Sequence, residues 1–462
     1  MSSSCRSALE ARPGRGSRPQ EAASRRRHST ALLGTVVAGF LPLLIGPGKA
    51  QADQFVFSPR VEVGATYNDN YLMSESTTPY VAGGVLVPGT PVLKVGGPLV
   101  DALAEFSDTT PTNNLSIMPR VHATFFPGHS DQQSTDGYLD FADTLQDGEL
   151  TRWKLLASFA DSTILASQFV AATFPNQELG QQTSVGSGFV TVLEREIKFH
   201  VGPRWSYQWT ARRRLEASVD YDHASFSESQ LGQVPFQNVI GQAGLAYDWT
   251  QRSTLTFGAM GGDYKPKTGT GNSYYGVSAQ WDFRKSQIMQ MYVRVGATHS
   301  ILPSSGGLPS QSGTGFAGGI GAHWKYEITD ITVDAIRSAL PSSFGVLVFQ
   351  DEARARLSRF ITPYMSWFAA VRGIYVEESL PAVSNPAAGL EKIPDRTYAT
   401  ATAGLEWRFT RGFSLLASYN YQFQKFSGDP LNASSNEFGV SVVYEPRRDT
   451  LPRYIGTGVG DY

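Results

Sequence analysis

Ionisable side chains recur at every second position through much of this chain, and that spacing is its first chemical signal. Lys198, His200 and Arg204 share one parity, and so do Glu216, Asp220 and Asp222 shortly after them. Asp248, Asp282 and Arg284 continue the series, followed by Arg294, His323 and Lys325. Glu352, Arg354, Arg356, Arg372, Glu406 and Arg408 complete it. A strand sends successive side chains to opposite faces, so residues two apart share a face. Carboxylates and guanidiniums gathered on one face can line a solvated wall that attracts and orients dissolved solutes, or pair into ladders that fill an interior. Both readings stay open at this level.

The signs are not evenly distributed. Glu216, Asp220, Asp222 and Asp248 fall on neighbouring segments, whereas Arg354, Arg356, Arg372 and Arg408 fall on segments that neighbour one another later. Walls of opposite sign would set a transverse field across a pore, and such a field orients dipolar solutes. Catalytic chemistry finds little support beside this. The seven histidines, His28, His122, His129, His200, His223, His299 and His323, lack metal-ligand spacing. No nucleophile elbow, phosphate-binding glycine loop or dinucleotide fingerprint stands out. No catalytic residue, cofactor or metal is expected. The glycine-rich run Gly315-Phe316-Ala317-Gly318-Gly319 falls within a strand pattern, where it eases close packing or curvature.

The elements that must position these charges are most legible from Thr400 to Gln424. Ala401, Ala403, Leu405, Trp407 and Phe409 alternate with Thr400, Thr402, Gly404, Glu406 and Arg408. After Thr410-Arg411-Gly412, Phe413, Leu415, Ala417, Tyr419, Tyr421 and Phe423 alternate with Ser414, Leu416, Ser418, Asn420, Gln422 and Gln424. This is a hairpin with one apolar and one polar face. Each arm, at about ten residues, is long enough to cross a hydrocarbon layer when tilted, and aromatic rings sit near the arm ends. Such a hairpin belongs to a barrel with lipid outside and water inside. A soluble sandwich shows the same alternation, but it would not need an aromatic-rimmed band on nearly every strand.

Composition agrees. Of 462 residues, 46 are glycine, 12% are aromatic and only 17% are charged. A helical membrane protein of this length would be far more apolar, and soluble domains carry about 25% charged residues. Beyond residue 45 no run of eighteen apolar residues occurs, which argues against a spanning helix there.

Arg25, Arg26 and Arg27 precede the apolar run Ala31 to Ile45, and Ala50-Gln51-Ala52 supplies small residues. This reads as an export signal over residues 1–52, cleaved after Ala52. The segment takes eight basic and two acidic residues with it, leaving 31 basic and 39 acidic, a net charge of −8. That balance gives no hint of nucleic-acid binding. Cys5, the one cysteine, leaves with the leader, so no disulfide, thiolate metal site or lipidated cysteine is expected.

Period-two alternation and turn punctuation predict an all-β, antiparallel, up-and-down transmembrane barrel of about eighteen strands over residues 53–445, with sixteen as the alternative. The early strands are Val56 to Asn68, Leu115 to Phe125, Gly137 to Thr144, Leu150 to Ala160 and Thr163 to Ala171. Thirteen clearer ones follow between about residues 194 and 445. Met73 to Thr112 reads as a long loop, and Gln146 to Glu149 as a loop too short for the outer side. Tight connections such as Ala211-Arg212, Gln251-Arg252 and Lys285-Ser286 alternate with long ones, as in outer-membrane barrels. Residues 446–462 read as a periplasmic tail or part of an extra strand.

Val61-Glu62-Val63-Gly64-Ala65-Thr66-Tyr67-Asn68-Asp69-Asn70, an opening strand that ends in a Tyr-x-Asp-Asn turn, resembles the start of the beta-barrel porin 2 family. Trp205 to Thr210, Val219-Asp220-Tyr221 and the closing Tyr419-Asn420-Tyr421-Gln422-Phe423 are similar to its repeated hairpins. The resemblance implies a Gram-negative outer-membrane barrel, often associated with exopolysaccharide or capsule export, that passes small solutes or polysaccharide. The partners it implies are outer-membrane lipid and lipopolysaccharide, the barrel assembly machinery, and polysaccharide or export-complex proteins. A filled barrel docking to an export machine, and a surface barrel that binds sugars through its 73–112 loop, are the alternatives. The chain departs from the usual pattern in that eighteen residues, Glu445 to Tyr462, follow the last aromatic-ended strand.

Overall fold

The computed structural model describes residues 54–74, 80–82, 85–87, 91–163, 195–227, 233–268, 271–304, 310–342, 347–378, 395–427 and 432–446. The chain divides at Ala52/Asp53 into two units, and every element described below lies in the second. The strands are β1 Gln54–Asn68, β2 Tyr80–Ala82, β3 Val85–Val87, β4 Val95–Thr109, β5 Asn113–Thr124, β6 Ser134–Asp147 and β7 Thr151–Thr163. Next come β8 Arg195–Thr210, β9 Arg213–Phe226, β10 Phe236–Thr250, β11 Ser253–Pro266, β12 Asn272–Arg284 and β13 Met289–Leu302. The last are β14 Gln311–Lys325, β15 Thr329–Pro341, β16 Leu347–Thr362, β17 Met365–Glu378, β18 Arg396–Arg408, β19 Phe413–Phe426 and β20 Ala433–Tyr444.

Eighteen of these form one antiparallel ring in which each strand pairs with its sequence neighbours and β1 closes on β20. β2 and β3 make a separate small hairpin. Closure gives every strand of the ring a bonded neighbour on both sides, which is what allows a sheet to enter a bilayer. The connections sort by side. Residues 148–150, 211–212, 251–252 and 363–364 are tight, whereas the opposite rim carries connections such as 69–94 and 379–395. Both ends of the ring, the start of β1 and the end of β20, lie on the tight side, because the strand number is even.

The side chains divide by parity. Val63, Val277, Phe316, Val371 and Val440 are all more than half exposed and point away from the ring. Trp153, Trp209, Trp249, Trp281 and Trp407 mark the tight-turn end of this belt, and Tyr67, Tyr275, Tyr375 and Phe438 mark the other end. A broad apolar surface flanked by two aromatic girdles is stable only against lipid. Cross-strand ring pairs reinforce it, with centroids 4.9 Å apart for Phe57–Phe106, Phe413–Tyr444 and Tyr419–Phe438. Such pairs contribute about 0.2–1 kcal/mol each.

The closing seam is tied at its long-loop end by the Tyr67 to Asn70 turn. Asn68 Oδ1 accepts from the Asn70 backbone at 2.9 Å and from Ser435 Oγ at 2.8 Å. Asp69 accepts from the Asn436 backbone and side chain at 2.7 and 2.8 Å. The short polar side chains therefore act as rungs where the ladder ends.

Three readings of the sequence change. Met73 to Thr112 is not one loop, since β4 occupies its second half and pairs with β1 over fifteen positions, Gln54↔Thr109 to Asn68↔Val95. Its alternation is hidden because Leu99 and Leu103 lie on the same parity as Asp101 and Glu105, while Gly96 and Pro98 interrupt the other. The strand expected at Thr163 to Ala171 begins at the last residue of β7, and 164–171 lies outside the described residues. The eighteen-strand ring closes without it. Adding β4 also moves Gln146 to Glu149 to the other side, where Gly148 (φ 69°) makes a tight turn like its neighbours.

Candidate functional site

The face opposite the apolar belt carries the charges, and strand register decides which of them meet. On β16, Ala353 and Leu357 alternate with Glu352, Arg354 and Arg356. The ladder sets Arg354 opposite Asp334 on β15 and opposite Arg372 on β17. Arg354 grips Asp334 with Nε and Nη2 at 2.5 and 2.6 Å. Arg372 donates from Nε to Glu352 at 2.9 Å, and Gln350 reaches the other oxygen of Glu352 at 3.3 Å. Glu352 and Arg372 are both buried. The result is a continuous ladder, Asp334, Arg354, Glu352, Arg372, across three strands. Bidentate geometry of this kind makes the strong class of ion pair.

The acidic side is built differently. His200 Nδ1 lies 2.8 Å from Asp222 and its Nε2 3.8 Å from Asp220. Gly202, between His200 and Arg204 on this face, leaves room for Asp220: a Cβ there would come within 2.4 Å of its Oδ1. Arg214 pairs with Glu216 at 2.7 Å, and Asp248 accepts from Thr254 at 2.7 Å. Gln280 links neighbouring charges of β12 and β13 by accepting from Arg294 at 2.8 Å and donating to Asp282 at 2.9 and 3.0 Å. Glu406 accepts from Ser414 at 2.8 Å. Arg204 pairs by backbone with Lys154 and Ser218, Arg356 with Thr332 and Ala370, and Arg408 with Ser414. Arg204, Glu216, Asp220, Asp222, Asp248, Asp282, Arg294, Arg354, Arg356, Arg372, Glu406 and Arg408 all fall on the parity opposite the belt.

The structure thus brings together Asp220 with Asp222, and Arg354 with Arg372. It also places opposite charge inside each wall. Asp334 and Glu352 stand among the arginines, and His200, Arg204 and Arg214 among the acids, so the contrast between the walls is reduced. Asp334 was missed in the sequence although Ile331, Val333 and Ala335 alternate with it on the correct parity; its significance depends on register. Asp101 was missed with β4. It accepts from Arg120 at 2.6 to 3.1 Å and lies 3.0 Å from His122 Nδ1, forming a second charged cluster on the same face.

The long-loop mouth is narrowed from one side. Tyr264 on β11 is fully buried and donates to the carbonyl of Ser342, just past β15, at 2.8 Å. Four strand spacings separate β11 from β15, roughly 19 Å along the wall at about 4.8 Å per strand. The end of β15 must therefore fold across the mouth. Leu347, at the start of β16, joins Ala224, Phe236, Tyr264 and Tyr274 in an apolar cluster on the inner face of β9 to β12. Among the described residues no group of three His, Cys, Asp or Glu could hold a metal ion.

No family model matches the chain, and no curated protein is similar to it. Among solved structures it is similar to the outer membrane channel DcaP of Acinetobacter baumannii, at 12% identity and a TM-score of 0.39, over 87% of this chain and 100% of that one. It is similar to a BenF-like porin from Pseudomonas fluorescens Pf-5 at 10% identity and a TM-score of 0.42, over 84% and 98%. Pseudomonas aeruginosa OccK2 (OpdF) follows at 9% and 0.41, over 85% and 98%.

Proposed function

We propose that the chain is a channel of the Gram-negative outer membrane through which small hydrophilic solutes, sugars among them, diffuse. The supporting observation is the ring itself, eighteen strands with an apolar outer belt and a charged, hydrogen-bonding inner wall. Side chains fill a barrel of about eight strands, whereas sixteen to eighteen strands enclose water. The ladder Asp334, Arg354, Glu352, Arg372 and the cluster His200, Asp220, Asp222 would then line that water. Paired charges of both signs offer donors and acceptors together, which suits the hydroxyls of a saccharide better than a bare ion. Lipopolysaccharide contact outside and insertion by the barrel assembly machinery follow from this location.

Reconstitution in planar bilayers tests the reading. Stepwise single-channel currents that a saccharide reduces on addition would support it; insertion without current would refute it. A second reading, a barrel with an occluded mouth that docks to an exopolysaccharide export machine, is favoured by the contact between Tyr264 and Ser342. Silent insertion together with a co-purifying export component would favour that one. The sugar-binding loop loses support, since β4 takes much of the 73–112 segment.

A further inference from the structure

Two neighbouring tight turns are copies of one another. Trp209-Thr210-Ala211-Arg212 joins β8 to β9, and Trp249-Thr250-Gln251-Arg252 joins β10 to β11. In each the ladder slips by one residue, from Gln208↔Arg214 to Thr210↔Arg213 and from Asp248↔Thr254 to Thr250↔Ser253, so the tryptophan has no partner across its hairpin. Such a bulge re-aims its side chain, and the two indoles are 58% and 63% exposed. The threonine then closes the turn: Arg212 N donates to Thr210 Oγ1 at 3.3 Å, and Arg252 N to Thr250 Oγ1 at 3.2 Å. The hairpins are also bonded to each other, Asp248 N donating to the Arg212 carbonyl at 2.9 Å.

The backbone does not demand these side chains. The β16–β17 turn, Ile361-Thr362-Pro363-Tyr364, has the same slip and the same bond, Tyr364 N to Thr362 Oγ1 at 3.2 Å, with isoleucine and tyrosine in the places of tryptophan and arginine. Charge is sorted along the rim as well. Arg212, Arg213, Arg252 and, at the β12–β13 turn, Lys285 are exposed, and among the described residues none of them forms an ion pair, whereas Arg214 is held by Glu216. The turns to either side of this stretch are acidic, with exposed Asp147 and Glu149 between β6 and β7 and exposed Glu327 between β14 and β15. Arg213 stands on the belt parity, opposite Tyr247 in the ladder. An unpaired guanidinium beside an aromatic girdle lies at the depth of the lipid headgroups.

We propose that the two turns form a docking site for the headgroup of an anionic phospholipid in the leaflet at the tight-turn rim. Arg212, Arg213 and Arg252 grip the phosphodiester, and Trp209 and Trp249 rest against the glycerol backbone beneath it. Charge complementarity selects this occupant: the planar forks of unpaired arginines match phosphate oxygens, and the flanking indoles favour the membrane interface over water. Two strand spacings separate the hairpins, about 10 Å at about 4.8 Å per strand, within reach of one headgroup for two arginine side chains. The site rests on the placement of the barrel in a membrane and does not require an open lumen.

The test uses the full chain in detergent micelles. Native mass spectrometry counts the lipid retained when phosphatidylglycerol or phosphatidylcholine with the same acyl chains is added. Wild type should retain phosphatidylglycerol in preference. Arg212→Ser with Arg252→Ser should weaken that retention by about fivefold for each arginine removed, and Trp209→Ala with Trp249→Ala should weaken it too. Arg359→Ser removes another exposed belt-side arginine, opposite Trp367 and away from the patch, and should leave retention unchanged. Only protein that shows the heat-dependent gel shift of a folded barrel is compared. Equal retention of the two lipids, an equal loss in Arg359→Ser, or tighter retention of lipopolysaccharide than of phosphatidylglycerol would overturn the site. Full retention by the double arginine variant, together with loss of a co-purifying acidic protein, would overturn it as well and give the patch to a protein partner. Ionic current is recorded on the same preparations, and its absence would count against the channel while leaving the lipid site standing.

Discussion

Arg372 and Glu352 meet side chain to side chain across the β16–β17 ladder, 2.9 Å apart and both nearly sealed from solvent, although their backbones are not partners: Glu352 pairs with Ile374, and Arg372 with Arg354. The diagonal contact lets one carboxylate hold two guanidiniums, since Arg354 lies 4.0 Å from the same oxygen. Without Glu352, Arg354 and Arg372 would stand on adjacent strands as like charges.

Glu352→Gln should therefore destabilise the barrel more than a surface change would. Breaking a buried ion pair by removing one partner costs about 3–5 kcal/mol, and the lower end is expected here because one side of the ladder faces water. Urea unfolding in detergent should show a lower midpoint, and the added positive charge should shift the channel's reversal potential toward anion preference. An unchanged midpoint would mean that the ladder does not hold the wall.

The closing seam offers a different kind of test. A Cβ on Gly64 would come 2.4 Å from the Val440 carbonyl and 2.5 Å from Ser441 Cβ, so a larger residue meets backbone rather than a flexible side-chain end. Gly64→Val should prevent β1 from docking on β20, seen as loss of the heat-modifiable folded band on gels. Gly373, where nothing lies within 4 Å of a Cβ, is the control, and Gly373→Ala should fold normally.

Tyr264→Phe removes the hydroxyl that Ser342 accepts while leaving the ring in its cluster. The lost hydrogen bond is worth about 1 kcal/mol, enough to loosen the fold of the β15 end over the mouth without unfolding the barrel. Larger or noisier unitary current, with an unchanged unfolding midpoint, is the expected result.

Much of this was legible in the sequence, because parity alone separates Trp407 from Arg408 and Val277 from Ser278. Register was not. Asp334 meets Arg354 because the β15–β16 ladder sets the two residues opposite each other, and no single-strand pattern encodes that register. β4 escaped because Leu99 and Leu103 put apolar residues on the charged face of a strand whose other face carries Gly96 and Pro98. The inward turn of the β15 end was hidden as well, since Ser342 and Tyr264 are far apart in sequence and joined by one hydrogen bond.

The central claim, lipid against one face and water against the other, is tested most directly at two adjacent residues of β12. Val277 is 65% exposed on the outer face, and Ser278 is exposed on the inner one. In a Cys5→Ser background reconstituted in vesicles, Ser278→Cys should react with a charged, water-soluble thiol reagent and Val277→Cys should stay unlabelled until the bilayer is dissolved. Equal labelling of both in intact vesicles, or labelling of Val277→Cys alone, would contradict the account.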